Sequence, residues 1–173
     1  MLNNTSFQVR AAEERDADNL AALSIQVWLH TYAWHGIDSK ISRYVLAEYT
    51  SENMARKIAN PNGQILLVEK GDHLLGYAAL LLDSPCPTMP DLNNELASLY
   101  IQTRFAGQGL GGQLLAASAA VFLQRSGNSK YWLTVNEKNQ RARDFYQKHG
   151  FCEIGDDWFE MEGERFLNKI LLA

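Results

Sequence analysis

Cysteine is nearly absent: Cys86 and Cys152 are the only two in 173 residues. Two so far apart form no metal-ligand spacing and no disulfide framework, so the expectation is a reducing cytoplasm and no metal. No stretch of eighteen apolar residues occurs, which removes a membrane-spanning helix and a membrane partner from the expectation. The opening Met1-Leu-Asn-Asn-Thr-Ser6 has neither the basic nor the apolar region of a secretion signal. Positive charge is in deficit, with 16 Lys and Arg against 20 Asp and Glu, a net −4. That balance argues against a nucleic-acid platform and is compatible with a cationic substrate. Repeats, low-complexity tracts and linkers are missing too. The length therefore points to one domain over residues 1–173, large enough to bury a sizeable core.

What the sequence does have is glycine in one place. Glu95-Leu-Ala-Ser-Leu-Tyr-Ile101 reads as a strand, and Leu110, Leu114, Ala117 and Val121 recur at helical spacing. Between them, Gly107-Gln108-Gly109-Leu110-Gly111-Gly112 holds four glycines in six residues. Glycine lets the backbone turn tightly and approach a ligand with no Cβ in the way. The first turn of a helix adds unpaired N–H groups and a partial positive charge. Strand, glycine loop and helix together make an anion cradle, most often for phosphate.

Two familiar phosphate loops fit poorly. A P-loop requires Lys and Ser/Thr after the last glycine, where Gln113 and Leu114 stand. A dinucleotide fingerprint matches Gly107, Gly109 and Gly112, with Glu137 placed as a ribose ligand, but needs two βαβ halves where the chain has room for one.

The rest of the chain supplies the frame. Phe7–Arg10 reads as a first strand. Asp16 or Asp18 is placed to cap a helix through Leu20, Leu23, Val27 and Trp28 toward Tyr32. Ser39 or Ser42 restarts one helical segment reaching about Ala59. Residues 64–69 and 74–82 read as a hairpin, and 83–94, with three of the four prolines, as a loop. After the glycine-loop helix, Tyr131–Val135 is a strand parallel to Glu95–Ile101, since a helical crossover joins them. Asn139 starts a further helix ended by Gly150, and Phe151–Ile154 and Arg165–Leu172 close the chain around Gly163. The expected order is β-α-α-β-β-β-α-β-α-β-β, an α/β fold with one mixed sheet flanked by helices.

The glycine loop resembles motif A of the GNAT superfamily of N-acetyltransferases, Gln/Arg-x-x-Gly-x-Gly/Ala, and the order of elements resembles the GNAT fold over nearly the whole chain. Arg104-x-x-Gly107-x-Gly109 fits the pattern literally. Aligning the helix start instead puts Ala106 in the Gln/Arg place, which removes a side-chain contact and leaves the cradle. A second stretch, Asn139-x-x-Ala142-x-x-Phe145-Tyr146-x-x-x-Gly150-Phe151, resembles the motif B region of the family. Its Asn139, Ala142 and Tyr146 share one helical face.

The resemblance implies an enzyme that moves the acetyl group of acetyl-coenzyme A to a primary amine of a small molecule or peptide, by direct attack in a ternary complex. It implies pyrophosphate on Gly107–Gly112 and pantetheine beside Asn139 and the strand residues Leu99, Tyr100 and Ile101. Backbone N–H at Leu99 or Ile101 would stabilise the oxyanion. Tyr146 would protonate the departing sulfur. From a phenol near pKa ~10 to a thiol near ~8.5, that transfer is uphill by about 2 kcal/mol, which positioning can offset.

In ribosomal-protein alanine acetyltransferases, which this part also resembles, a glutamate stands where Trp132-Leu-Thr-Val135 has Thr134. Threonine is no base. Glu95 is the substitute: it shares a strand face with Leu99 and lies about 13 Å from it at ~3.3 Å per residue, so it would act through water. Trp28, Tyr32, Trp34 and His35 could line a pocket for a cationic amine, with Trp28 and Tyr32 its leading residues. They suit a core or an interface equally, which leaves a homodimer open. The alternative function is a CoA-binding module without catalysis, with a dinucleotide oxidoreductase third.

Overall fold

The computed structural model describes residues 6–173. Its strands are β1 (Gln8–Ala11), β2 (Gly63–Lys70), β3 (His73–Leu81), β4 (Glu95–Ile101), β5 (Trp132–Asn136), β6 (Cys152–Met161) and β7 (Glu164–Leu172). Its helices are α1 (Ala17–Tyr32), α2 (Ser39–Glu48), α3 (Ser51–Ala59), α4 (Leu110–Ser126) and α5 (Gln140–Lys148). The strands form one mixed seven-stranded sheet in the order β1-β2-β3-β4-β5-β7-β6. The β4–β5 pairing is parallel, as the crossover through α4 requires, while β5–β7 and β7–β6 are antiparallel. Two compact units divide the chain: the described residues up to Leu80 with Ser98–Ser118, and Leu81–Ala97 with Ala119–Ala173.

In the first unit α1 buries Ala17, Leu20, Ala21, Ser24 and Trp28, a stripe at spacings of three and four. Ile65–Val68 of β2 are buried in unbroken succession, the mark of a strand covered on both faces. Asp16 stands at the start of α1, yet its side chain makes no cap. Its carboxylate accepts two hydrogen bonds from Arg10, at 2.7 and 2.9 Å, and one from the Glu13 N–H. Arg10 holds Glu69 of β2 as well, at 3.0 Å. An ion pair to a guanidinium outcompetes a neutral cap for the same oxygens.

The single helical segment expected over 39–59 is two helices. Asp38, rather than Ser39 or Ser42, caps the first by accepting from the N–H groups of Lys40 and Ile41. Thr50 Oγ1 then accepts the Asn53 N–H at 3.1 Å and starts a new helix. The Asn53 amide donates back to the Ala47 and Glu48 carbonyls, both at 2.8 Å. One asparagine thus closes α2 while sitting in the first turn of α3.

In the second unit the strand expected over 151–154 runs on to Met161, ten residues in all. Glu162 and Gly163 have φ of 51° and 80°, the two left-handed positions of a tight hairpin, and the paired strand β7 sets the length of β6. Cys86, Leu92, Trp132 and Ile170 pack on one face of this unit's strands, with Ile154 and Leu172 against them. On the other face Tyr131 meets Phe151 edge-on, and Phe151 packs at a tilt against Tyr146 of α5. Among the described residues no helix is long and apolar enough to cross a membrane.

Candidate active site

The glycine loop has the backbone its sequence requires. Gly107 and Gly109 both sit at φ 80°, and a Cβ at either would meet nothing within 4 Å. The left-handed conformation costs an ordinary residue about 1–2 kcal/mol, so glycine here serves the backbone and leaves open space beside it. Gly109 O accepts the Gln113 N–H at 3.1 Å, and α4 begins at Leu110, which is 1% exposed and anchors the first turn. Gly111 and Gly112 lie in that turn, where N–H groups have no carbonyl four residues back within the helix. A bare backbone ahead of a helix N-terminus fits the pyrophosphate of a nucleotide cofactor. Arg104 lies over the Phe105 ring at 5.5 Å.

Upstream of the loop, β4 carries Leu99, Tyr100 and Ile101, all half-buried. Tyr100 belongs to a buried set of hydroxyls that no local pattern in the sequence announces. Its OH lies 3.1 Å from that of Tyr49, and its ring 5.4 Å from that of Tyr77. Ser24 donates to the Leu20 carbonyl at 2.6 Å, so the 2.8 Å contact between Ser24 and Tyr77 has the tyrosine as donor. Burial pushes Tyr77 up to about 12, and raises Tyr49 and Tyr100 further. These phenols are hydrogen-bond donors at any working pH and not bases. Gly76 on β3 makes the packing feasible, since a Cβ there would stand 2.5 Å from the Tyr100 carbonyl oxygen.

Of the aromatic segment, Trp28 is in the core, 6% exposed, with ring centroids of Tyr32 and Tyr44 at 4.9 and 5.0 Å. Tyr32 is 38% and Trp34 73% exposed. The segment therefore divides into a buried member and a surface.

In the second unit, Glu95 pairs with Trp132 in the parallel register, which puts both side chains on one face. Ser84, in the loop after β3, donates to Glu95 Oε2 at 2.5 Å, and its carbonyl accepts the Trp132 indole N–H at 2.9 Å. Burial raises the Glu95 carboxyl above the ordinary range; Ser84 pulls it down, and the charge of Asp157 raises it again. A half-buried carboxylate shifted upward is a stronger base than an ordinary glutamate. Thr134 pairs with Ile170, so it faces the same side as Trp132. Neither Ser84 nor Asp157 carries a signal in the sequence, because both act across strands.

Asn139 is the N-cap of α5, its Oδ1 accepting the Ala142 N–H at 3.2 Å. Tyr146 is 7% exposed, with ring centroids of Phe145 and Phe151 at 5.3 and 5.2 Å. Gly150, at φ 86°, ends the helix, and the Phe151 N–H returns to the Tyr146 carbonyl at 3.1 Å.

A mixed seven-stranded sheet whose parallel β4–β5 pair is joined through a glycine loop and α4 has the architecture of the acyl-CoA N-acyltransferase fold. Residues 28–151 match the model of the acetyltransferase (GNAT) family, and the chain belongs to that family. It is 32% identical over 149 residues to an N-acetyltransferase of Mycobacterium tuberculosis (strain ATCC 25618 / H37Rv), covering 84% of this chain and 89% of that one. Among solved structures, PaiA N-acetyltransferase from Thermoplasma acidophilum, in complex with coenzyme A, superposes with TM-score 0.71 at 21% identity, over 95% of this chain and 98% of that one. An acetyltransferase of the GNAT family from Streptococcus pneumoniae gives 0.69 at 24% identity, over 97% and 98%. These two structures share the fold.

Proposed function

We propose that the chain, as one catalytic domain, acetylates a primary amine of a small molecule or peptide with acetyl-coenzyme A, by direct attack in a ternary complex. The observation that carries the proposal is the open left-handed backbone at Gly107 and Gly109 ahead of α4. It suits a diphosphate, and the Thermoplasma relative of the same fold is a coenzyme A complex. Acetyl-coenzyme A supplies an activated thioester carbonyl.

The chain's own residues do the rest. Backbone N–H groups of Gly107, Gln108, Gly109, Leu110, Gly111 and Gly112 hold the pyrophosphate, while Leu99, Tyr100, Ile101 and Asn139 hold the pantetheine arm. Glu95 takes the proton of the acceptor's ammonium through water, freeing the lone pair that forms the new C–N bond. As the C–N bond forms the nitrogen loses its second proton to solvent, and Tyr146 gives its own proton to the sulfur as the C–S bond breaks and recovers one from solvent. Trp28 and Tyr32 shape the acceptor side.

The test is a panel of polyamines, peptides, lysine derivatives, aminoglycosides and small metabolites, scored for released coenzyme A thiol. Release with at least one primary amine is expected. Coenzyme A binding without release on any amine would make the chain a binding module instead.

A further inference from the structure

Beside α1, the sheet face that this helix covers opens into a groove. On β3, alternation puts His73 and Leu75 on the same side as Tyr77, whose hydroxyl meets Ser24 of α1. The two-residue turn Gly71-Asp72 joins β2 to β3, with Gly71 at φ 59°. Lys70 and His73 therefore stand opposite each other across the hairpin and share that side. The tail of β4 makes the third wall. The Gln102 N–H donates to the Leu75 carbonyl at 2.9 Å, and a single 3-10 turn over Thr103–Phe105 follows it.

The groove has a volume of about 990 Å³ and lies wholly in the first unit. Small-molecule pockets span ~300–1,000 Å³, so there is room for a small organic ligand. Leu23 and Leu75, 3% and 2% exposed, give it an apolar floor, which Phe105 extends. None of Gly107–Gly112 lines it.

The charge around this floor is uneven. Lys70 and Arg104 both line the groove, and neither side chain makes an ion pair or a hydrogen bond with a described residue. Arg104 lies over the Phe105 ring instead. Elsewhere Arg10, Lys57 and Lys169 each hold a carboxylate at 2.7 Å. Asp72 is the one carboxylate of the lining, and it pairs with neither cation. Two uncommitted cations beside an apolar floor repel an ammonium group and are complementary to an anion.

We propose that this groove is a second binding site, for a small organic anion. Its apolar body lies on Leu23, Leu75 and Phe105, and Arg104 and Lys70 hold its carboxylate or phosphate. The guanidinium fork offers such a head group two parallel N–H donors, and the lysine adds a point charge. The site is distinct from the glycine cradle and does not depend on acetyl transfer.

Backbone-amide NMR with phenylacetate, phenyl phosphate and the neutral phenylethanol tests this. At least one of the two anions should shift the Gly71, His73 and Arg104 amides saturably below about 10 mM, and the tighter one identifies the head group. Phenylethanol should leave these amides in place. Arg104→Gln and Lys70→Gln should each weaken the anion about tenfold, as expected when a charged hydrogen-bond donor is lost. Gly109→Val should bind it as the wild type does. The proposal is overturned if neither anion saturates, if the alcohol gives the same shifts, or if the shifts are confined to Gly107–Gly109. Binding that survives unchanged in both the Arg104 and Lys70 variants, or that is lost in Gly109→Val, overturns it equally.

Discussion

Ser84 donates its hydroxyl hydrogen to Glu95 at 2.5 Å from a loop position eleven residues earlier. That bond and the burial of the carboxyl oppose each other. Burial is the larger, so Glu95 holds its proton above the ordinary carboxyl range. Ser84 fixes the carboxylate in place without cancelling that shift.

The sign of the stability effect follows. A carboxyl whose folded pKa lies above its unfolded value keeps its proton longer in the folded state. Stability is therefore greatest below the unfolded pKa, about 4.3, and falls as pH rises through the folded pKa. Glu95→Gln removes this dependence. The Tm of the variant relative to wild type should improve from about pH 4 to neutrality, as thermal unfolding across that range will show. Turnover should fall at neutral pH, and the deficit should shrink as the amine deprotonates unaided. A deficit constant from about pH 7 to 9.5 would exclude the role of base.

Gly109→Val addresses the cradle. The substitution forces a β-branched side chain into the left-handed region at a cost of about 1–2 kcal/mol and fills the open space beside the backbone. Acetyl-coenzyme A should raise the wild-type Tm by mass action and leave the variant's unchanged, while NAD shifts neither. An equal NAD shift would restore the dinucleotide alternative.

Tyr146→Phe separates packing from proton transfer. The ring packs edge-on against Phe145 and tilted against Phe151, contacts that phenylalanine keeps. Removing a general acid typically costs ~10²–10⁴-fold. Both kcat and kcat/KM should fall by that order, with acetyl-coenzyme A affinity within a few-fold by calorimetry. Unchanged turnover would leave Tyr146 a packing residue.

Gly76→Ala is a stability prediction. The added methyl would stand 2.5 Å from the Tyr100 carbonyl oxygen and press on the Ile101 side chain. Overpacking of this kind costs about 1–3 kcal/mol, and here the obstacle is backbone that cannot rotate aside. Denaturant unfolding should show a lower midpoint with an unchanged slope. A midpoint equal to wild type would mean that β4 yields at Tyr100.

Local chemistry in the sequence was enough to place β4 at Glu95–Ile101, the turn of the glycine loop, the asparagine cap of α5 and the parallel β4–β5 pair. Each depends on a few adjacent residues: a glycine where φ is positive, a side chain three positions from an orphan N–H, a crossover too long for a hairpin. Other features waited on tertiary structure. Asn53 closes the helix before its own, and Asp16 abandons its cap for Arg10, because partners brought near in space compete with neighbours in sequence. The length of β6 and the bulge after Glu153 depend on what β7 offers as a partner. That bulge determines whether Asp156 or Asp157 lies on the Trp132 face of the sheet. Both are aspartates in adjacent positions, and only strand register, a property of the pair rather than of either strand, distinguishes them.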